Sequence, residues 1–156
     1  GDRGKDNIRE MLVEGYRFVF GVGGDYKANS SSWILEEWKY PSETRVWGKF
    51  FELYSESGTK VKQLVVEPGC GISYQKHFLR DELWFVSHGS PTVKHSSGDP
   101  ENYTTHHLSP GDTFFVRAGE WHQIINEEVE PVKIIEVQYG SECEEEDIER
   151  LSYYSN

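Results

Sequence analysis

From residue 45 onward the chain is a succession of short apolar runs separated by turn residues, and this pattern limits its fold more than any other feature. Runs rich in Val, Ile, Phe, Tyr and Trp occupy residues 47–54, 60–67, 73–77, 82–87, 92–95, 103–108, 113–117, 123–126 and 132–139, with Gly, Pro, Ser and Asp between them. β-Branched and aromatic side chains suit a pleated, half-buried surface, and the turn residues punctuate it. Eight or nine strands at this spacing predict an all-β fold, an antiparallel sandwich or small barrel of jelly-roll type. Such a barrel has room for a ligand at one mouth. The length of 156 residues fits one domain. With 8 Phe, 9 Tyr and 5 Trp, the chain has the aromatic bulk of a packed core rather than of a disordered polymer.

The two ends read differently. Ile8, Met11 and Leu12 recur at helical spacing, and residues 16–20 alternate like a strand before a glycine-rich turn at 21–25. That turn lacks the lysine and the spacing of a phosphate loop. Residues 1–44 are therefore expected to be an N-terminal extension of a short helix plus strand, open to an oligomer contact, with a barrel over 45–140. The acidic run 142–149 predicts a solvated C-terminal helix within a segment 141–156.

Charge and cysteine content narrow the function classes. The net charge is -11, which disfavours binding to nucleic acid, because phosphates call for basic side chains. Residues 127–156 hold 10 acidic and 2 basic side chains, so most of the acidity lies away from the candidate pocket and a small anionic ligand stays admissible. No apolar run approaches the ~20 residues of a membrane span. No signal peptide is visible, and the expected location is cytoplasmic. Cys70 and Cys143 are too few for a disulfide framework or a cysteine zinc site. They read as two inert thiols, with a single bridge between them left open.

Two segments carry the chemistry. One is Gly69-x5-Gln75-x-His77-x4-Glu82-x6-Gly89, and the other is Gly111-x5-Arg117-x-Gly119-x2-His122-x3-Asn126. Gln75 and His77 lie two apart and share one face of a strand. A turn through Arg80 and Asp81 would bring Glu82 to the same space, and His122 opens a later strand. Two imidazoles, a carboxylate and an amide oxygen could then converge on one divalent cation, with Zn, Fe, Mn, Ni or Co all suited to such donors. His88, His95, His106 and His107 read as surface residues.

These segments resemble the two motifs of the cupin superfamily, with Gln75 at the place of the first histidine and Arg117 at that of a proline. The likeness narrows toward the cupin domain of type II mannose-6-phosphate isomerases, often fused to mannose-1-phosphate guanylyltransferases. It rests on Arg45-Val46-Trp47-Gly48, the segment from Gln75 to Trp84, Arg117-Ala118-Gly119 with His122, Glu136-Val137-Gln138-Tyr139-Gly140, and Glu146-Asp147-Ile148. The likeness covers about residues 45–150, in order. It implies a double-stranded β-helix and a zinc-type site of Gln75, His77, Glu82 and His122. The 44 residues upstream are too few for a nucleotidyltransferase, so only the isomerase-like part is expected to carry over.

The implied reaction interconverts an aldose phosphate and a ketose phosphate through an enediol. It needs a cation at the sugar oxygens, a base at C1 and C2, and a cationic group for the phosphate. Arg80 is the first candidate for substrate charge, with a solvent-facing place at a turn tip as the equal alternative. Lys62 and Arg45 follow; Arg80 and Lys62 are the candidate catalytic groups, and Arg45 and Arg80 the substrate-binding ones. The family's further histidines fall at Phe78, Leu79 and Leu83, a departure that either marks drifted chemistry or shows that those histidines did none. Two other readings stand beside the isomerase: an Fe-dependent dioxygenase-type cupin, and a non-enzymatic sugar-binding or structural cupin. The expected partner is a small sugar phosphate, in a protein that dimerises with its own copy.

Overall fold

The computed structural model describes residues 39–155. The helix and strand expected over residues 8–20 lie outside them. The described residues form eleven strands: β1 (Ser42–Arg45), β2 (Gly48–Glu56), β3 (Thr59–Val66), β4 (Tyr74–Lys76), β5 (Arg80–His88), β6 (Thr92–Ser96), β7 (Thr104–His107), β8 (Thr113–Val116), β9 (Trp121–Ile125), β10 (Val132–Gly140) and β11 (Glu149–Ser152). Nine of them, β2 to β10, fall on the nine apolar runs. All pairings are antiparallel, in a six-stranded sheet ordered β1-β2-β3-β10-β5-β8 and a five-stranded sheet ordered β11-β4-β9-β6-β7. This is the expected all-β double-sheet barrel. No helix among the described residues is long and apolar enough to cross a membrane.

Two elements extend the pattern beyond residues 45–140. β1 adds an edge strand to β2, and β11 adds one to β4. The expected acidic C-terminal helix is absent: residues 141–148 are turn and coil, and Glu149 begins β11. The reason is that the run is not solvated along its length. Glu145 accepts a bond from the buried Lys62 ammonium, the Glu144 carbonyl accepts one from Arg80, and the Asp147 carboxylate accepts from the amides of Phe78 and Leu79. Those partners hold the segment across one end of the barrel, with turns at Glu144–Asp147 and Glu146–Ile148.

The interior is graded from apolar to charged. Strand registers line up inward-facing residues in rows: Leu64, Ile134 and Val86, then Lys62, Glu136 and Trp84, then Lys60, Gln138 and Glu82. Val86 is fully buried, and Leu64 and Ile134 belong to a buried cluster with Val66, Ile72, Val93, Val132 and Ile124, each fully buried aliphatic side chain contributing about 1.5–3 kcal/mol. The last two rows put buried cations and carboxylates at the opposite end, under the segment 141–148. Beyond them Gly140 stands opposite Arg80, and a Cβ on Gly140 would lie 2.1 Å from the Leu79 carbonyl oxygen and 2.7 Å from Arg80 Cα. Because both obstacles are backbone, β5 would have to move. We expect Gly140→Ala to destabilise the fold by about 1–3 kcal/mol, read as a lower urea midpoint. An unchanged midpoint would contradict this packing.

Candidate functional site

The charged end of the barrel opens into a cavity of about 530 Å³. Six of its lining residues carry the argument: Lys62, Gln75, Arg80, Glu82, Glu136 and Gln138. Gln75 sits on the short β4; the strands of the other five alternate, so each polar side chain occupies a phase that is apolar further along the same strand. Val132 and Ile134 share the inward phase of β10 with Glu136 and Gln138.

Three of the four expected ligands converge. Donor atoms of His77, Glu82 and His122 all lie within 4.8 Å of one another, and all three residues are buried. His77 Nε2 is 3.2 Å from Glu82 Oε1, and His122 Nε2 is 3.6 Å from Glu82 Oε2. Each ring is oriented from its other nitrogen. His77 Nδ1 donates to the Asp147 carbonyl at 2.5 Å, and His122 Nδ1 donates to the Glu120 carbonyl at 3.0 Å. A carbonyl only accepts, so both neutral rings carry their proton on Nδ1 and present a lone pair on Nε2. Metal-binding histidines are held by the same arrangement. Gln75 lies at the rim, its amide nitrogen 3.4 Å from His77 Nε2 and its oxygen accepting from Ser73 at 2.5 Å. For this side chain to offer oxygen, its carboxamide must make a half-turn.

The residues fit a cation on one observation above all. Glu82 Oε2 and His122 Nε2 are buried acceptors that face one another with no hydrogen-bond partner. An unpartnered buried acceptor costs about 1–3 kcal/mol, and two facing ones need a cation or a proton between them. The other side of the triad is engaged by Arg80, whose Nη2 donates to His77 Nε2 at 3.1 Å and Nε to Glu82 Oε1 at 3.2 Å.

Arg80 therefore sits neither in a turn nor in solvent. The turn is at Phe78 and Leu79, and Arg80 begins β5 as a buried residue whose remaining donors go to the carbonyls of Glu144 and Asp147. Lys62 lies over the Phe50 ring at 4.5 Å and is paired with Glu145. Arg45 lines the cavity from β1, half exposed and paired with Glu43 at 2.9 Å. Phe78, Leu79 and Leu83 are exposed, so the apolar residues at those positions do not crowd the buried triad. Arg117, at the expected proline position, donates its amide to Glu120 at 2.8 Å, a bond proline cannot make. His95 and His106 are partly buried rather than on the surface, and both pack against Phe114.

Two functional candidates carried no expected role: Glu136 and Gln138. Glu136 accepts from Trp84 Nε1 at 3.3 Å and from Gln138 Nε2 at 2.7 Å. Gln138 Oε1 has no partner. The signal was present in the sequence as two polar residues on the buried phase of an otherwise apolar strand.

Burial sets the protonation states. Burial pushes Glu136 up to about 8, helped by the nearby Glu82 charge, and burial also raises Glu82 against the pull of Arg80. Burial lowers His77 to about 4 and His122 to about 3. The stabilisation tied to the neutral imidazoles is complete above their ordinary 6.5 and is lost as pH falls toward those values. That tied to protonated Glu136 is complete below 4.5 and is lost as pH rises through about 8. In chelator, the unfolding temperature of the protein should fall on the acid side from pH 6.5 toward 4 and erode again toward pH 8. Glu136→Gln should flatten only the alkaline arm; equal arms in both proteins would contradict the assignment.

Comparison with known proteins places this geometry. Residues 36–153 match the family model described as mannose-6-phosphate isomerase C-terminal. A mannose-1-phosphate guanylyltransferase of Salmonella muenchen is 33% identical over 132 residues, 84% of this chain and 26% of that protein. The alginate biosynthesis protein AlgA of Pseudomonas aeruginosa is 33% identical over 107 residues, 69% of this chain and 21% of that protein. The chain thus spans about a quarter of these relatives. Among solved structures, Bacillus subtilis oxalate decarboxylase aligns with a TM-score of 0.63 at 18% identity, over 73% of this chain and 30% of that one. The capsular polysaccharide assembling protein CapF of Staphylococcus aureus aligns with 0.62 at 14%, over 72% and 34%. These two likenesses concern the fold, a cupin barrel.

Proposed function

The chain belongs to the mannose-6-phosphate isomerase C-terminal family, and from that premise we propose that its cavity holds a divalent cation and interconverts an aldose phosphate and a ketose phosphate. The facing, unpartnered Glu82 Oε2 and His122 Nε2 carry the reading. His77, Glu82 and His122 would hold the ion, with Gln75 beside them once its carboxamide turns; zinc suits the donor set, as do Mn, Fe, Co and Ni. A bound cation would polarise the sugar oxygens at C1 and C2.

The chain's own residues supply the rest. Isomerisation takes a proton from C2 of the aldose and returns one to C1 while a hydroxyl proton moves from O2 to O1, with no net change of electrons. Glu136, a cavity carboxylate that changes charge near neutral pH, is the group to carry the carbon-bound proton. Lys62, its cross-strand neighbour, faces the same space with the positive charge a developing enediolate needs. The free Gln138 Oε1 accepts a sugar hydroxyl. Arg80 acts as a positioning residue that holds His77 and Glu82. Its hold on His77 Nε2 favours one other reading, a non-enzymatic sugar-binding barrel in which the guanidinium replaces the ion.

Metal content separates the two. Protein purified without added metal should retain a divalent ion, and His77→Ala and His122→Ala should retain at least roughly tenfold less. Equal content in all three would sink the metal centre. In a coupled assay with mannose 6-phosphate and added Zn, Mn or Co, the protein should turn over, and Glu136→Gln should lower kcat by about 10²–10⁴-fold. Retained metal without turnover on any hexose or pentose phosphate would sink the isomerase reading.

A further inference from the structure

Four cationic side chains line the cavity: Arg45, Lys62, Arg80 and Arg150. Two are consumed inside it. Lys62 is paired with Glu145, and Arg80 spends its donors on Glu82, His77 and the Glu144 and Asp147 carbonyls. Arg45 makes an exposed pair with Glu43, which contributes about 0–1 kcal/mol, and its guanidinium lies 5.9 Å from the Phe50 ring centre. Arg150 is different: among the described residues its side chain has no hydrogen bond, ion pair or ring contact. It stands in β11 directly opposite Gln75, so it shares a sheet face with a candidate ligand and reaches the cavity from the solvent side.

We infer that Arg150 is the anion anchor of the cavity, binding the phosphate monoester of the substrate at the mouth with Arg45 facing it from the other sheet. The inference rests on the sugar-phosphate reading above and moves the phosphate away from Arg80. A guanidinium with all its donors free can grip a phosphate in bidentate fashion, whereas one already bonded to a carboxylate, an imidazole and two carbonyls cannot. The distribution of charge inside the cavity agrees. The Glu82 carboxylate at its inner end would repel a dianion, and the mouth carries the only cation among the lining residues whose side chain has no partner.

The test is calorimetric titration of the full chain with fructose 6-phosphate and with fructose, comparing wild type, Arg150→Gln and Arg150→Lys, with metal content measured in each. Wild type should prefer the phosphorylated sugar. Arg150→Gln should reduce that preference by roughly tenfold to a hundredfold while fructose binding and metal content stay unchanged, and Arg150→Lys should restore part of it. Retention of the full preference in Arg150→Gln would overturn the inference and leave the sugar-phosphate reading intact. Equal loss for both sugars would assign Arg150 a structural role in β11 and also overturn it. Absence of any preference in wild type would overturn the inference together with the reading on which it rests.

Discussion

Charged side chains cannot leave water singly, and this constraint governs the polar end of the barrel. Lys60, Lys62, Arg80, Glu82 and Glu136 are all buried, and an unpaired buried charge costs several kcal/mol. The strand registers answer part of that demand by setting Lys62 opposite Glu136 and Gln138 between Lys60 and Glu82. The segment after β10 answers the rest: it brings the Glu145 carboxylate to Lys62 and two backbone carbonyls to Arg80. The same segment orients His77 through the Asp147 carbonyl. The candidate site is thus built by three parts of the chain, both sheets and the C-terminal strap, and none of them balances the buried charge alone.

The legibility of the sequence follows the same physics. The strands β2 to β10 were readable because alternation and turn residues are local signals, and the triad was readable because its spacing matches a known motif. The acidic run 142–149 misled because a cluster of carboxylates looks the same whether water or buried cations satisfy it. Its true partners, Lys62, Arg80 and the amides of Phe78 and Leu79, lie 60 or more residues away in the chain. Arg80 was read as equally suited to a turn tip for a related reason. The turn falls at Phe78 and Leu79 because the Asp147 carboxylate caps their amides, a long-range contact without a local trace. Glu136 and Gln138 were visible in the family pattern but acquired a role only when the register placed them beside Glu82 and Lys62.

Family membership and site geometry speak to different questions. The match over residues 36–153 includes β11 and the strap as well as the barrel, so the elements that complete the site belong to the shared unit. The curated relatives are about four to five times longer than the matched part, and the guanylyltransferase activity in the name of the Salmonella relative belongs to that whole protein. The positions where this chain departs from the family's histidines bear on the surface instead. Phe78, Leu79 and Leu83 are exposed while every candidate ligand they accompany is buried or half-buried. Replacing polar by apolar side chains there alters what the outside of the barrel presents to water and leaves the His77, Glu82 and His122 donors as they are.

The two cavity carboxylates explain why a neutral, polyhydroxylated ligand end would enter first. Glu82 and Glu136 share Gln138 as a donor, at 3.4 and 2.7 Å; burial raises both, and the Glu82 charge raises Glu136 further. Arg80 lies against Glu82 and favours its charge, which leaves Glu136 as the member that keeps its proton to about pH 8. A protonated Glu136 next to Lys62 and an unpartnered Gln138 oxygen offers a donor, a cation and an acceptor within two adjacent rows of the sheet. Hydroxyl and carbonyl groups can meet all three without bringing a charge of their own. A phosphate at that depth would face the charged Glu82 carboxylate and find both inner cations already bonded. If the ligand is the proposed sugar phosphate, the polarity of the barrel would orient it with its sugar inward and its dianion at the mouth.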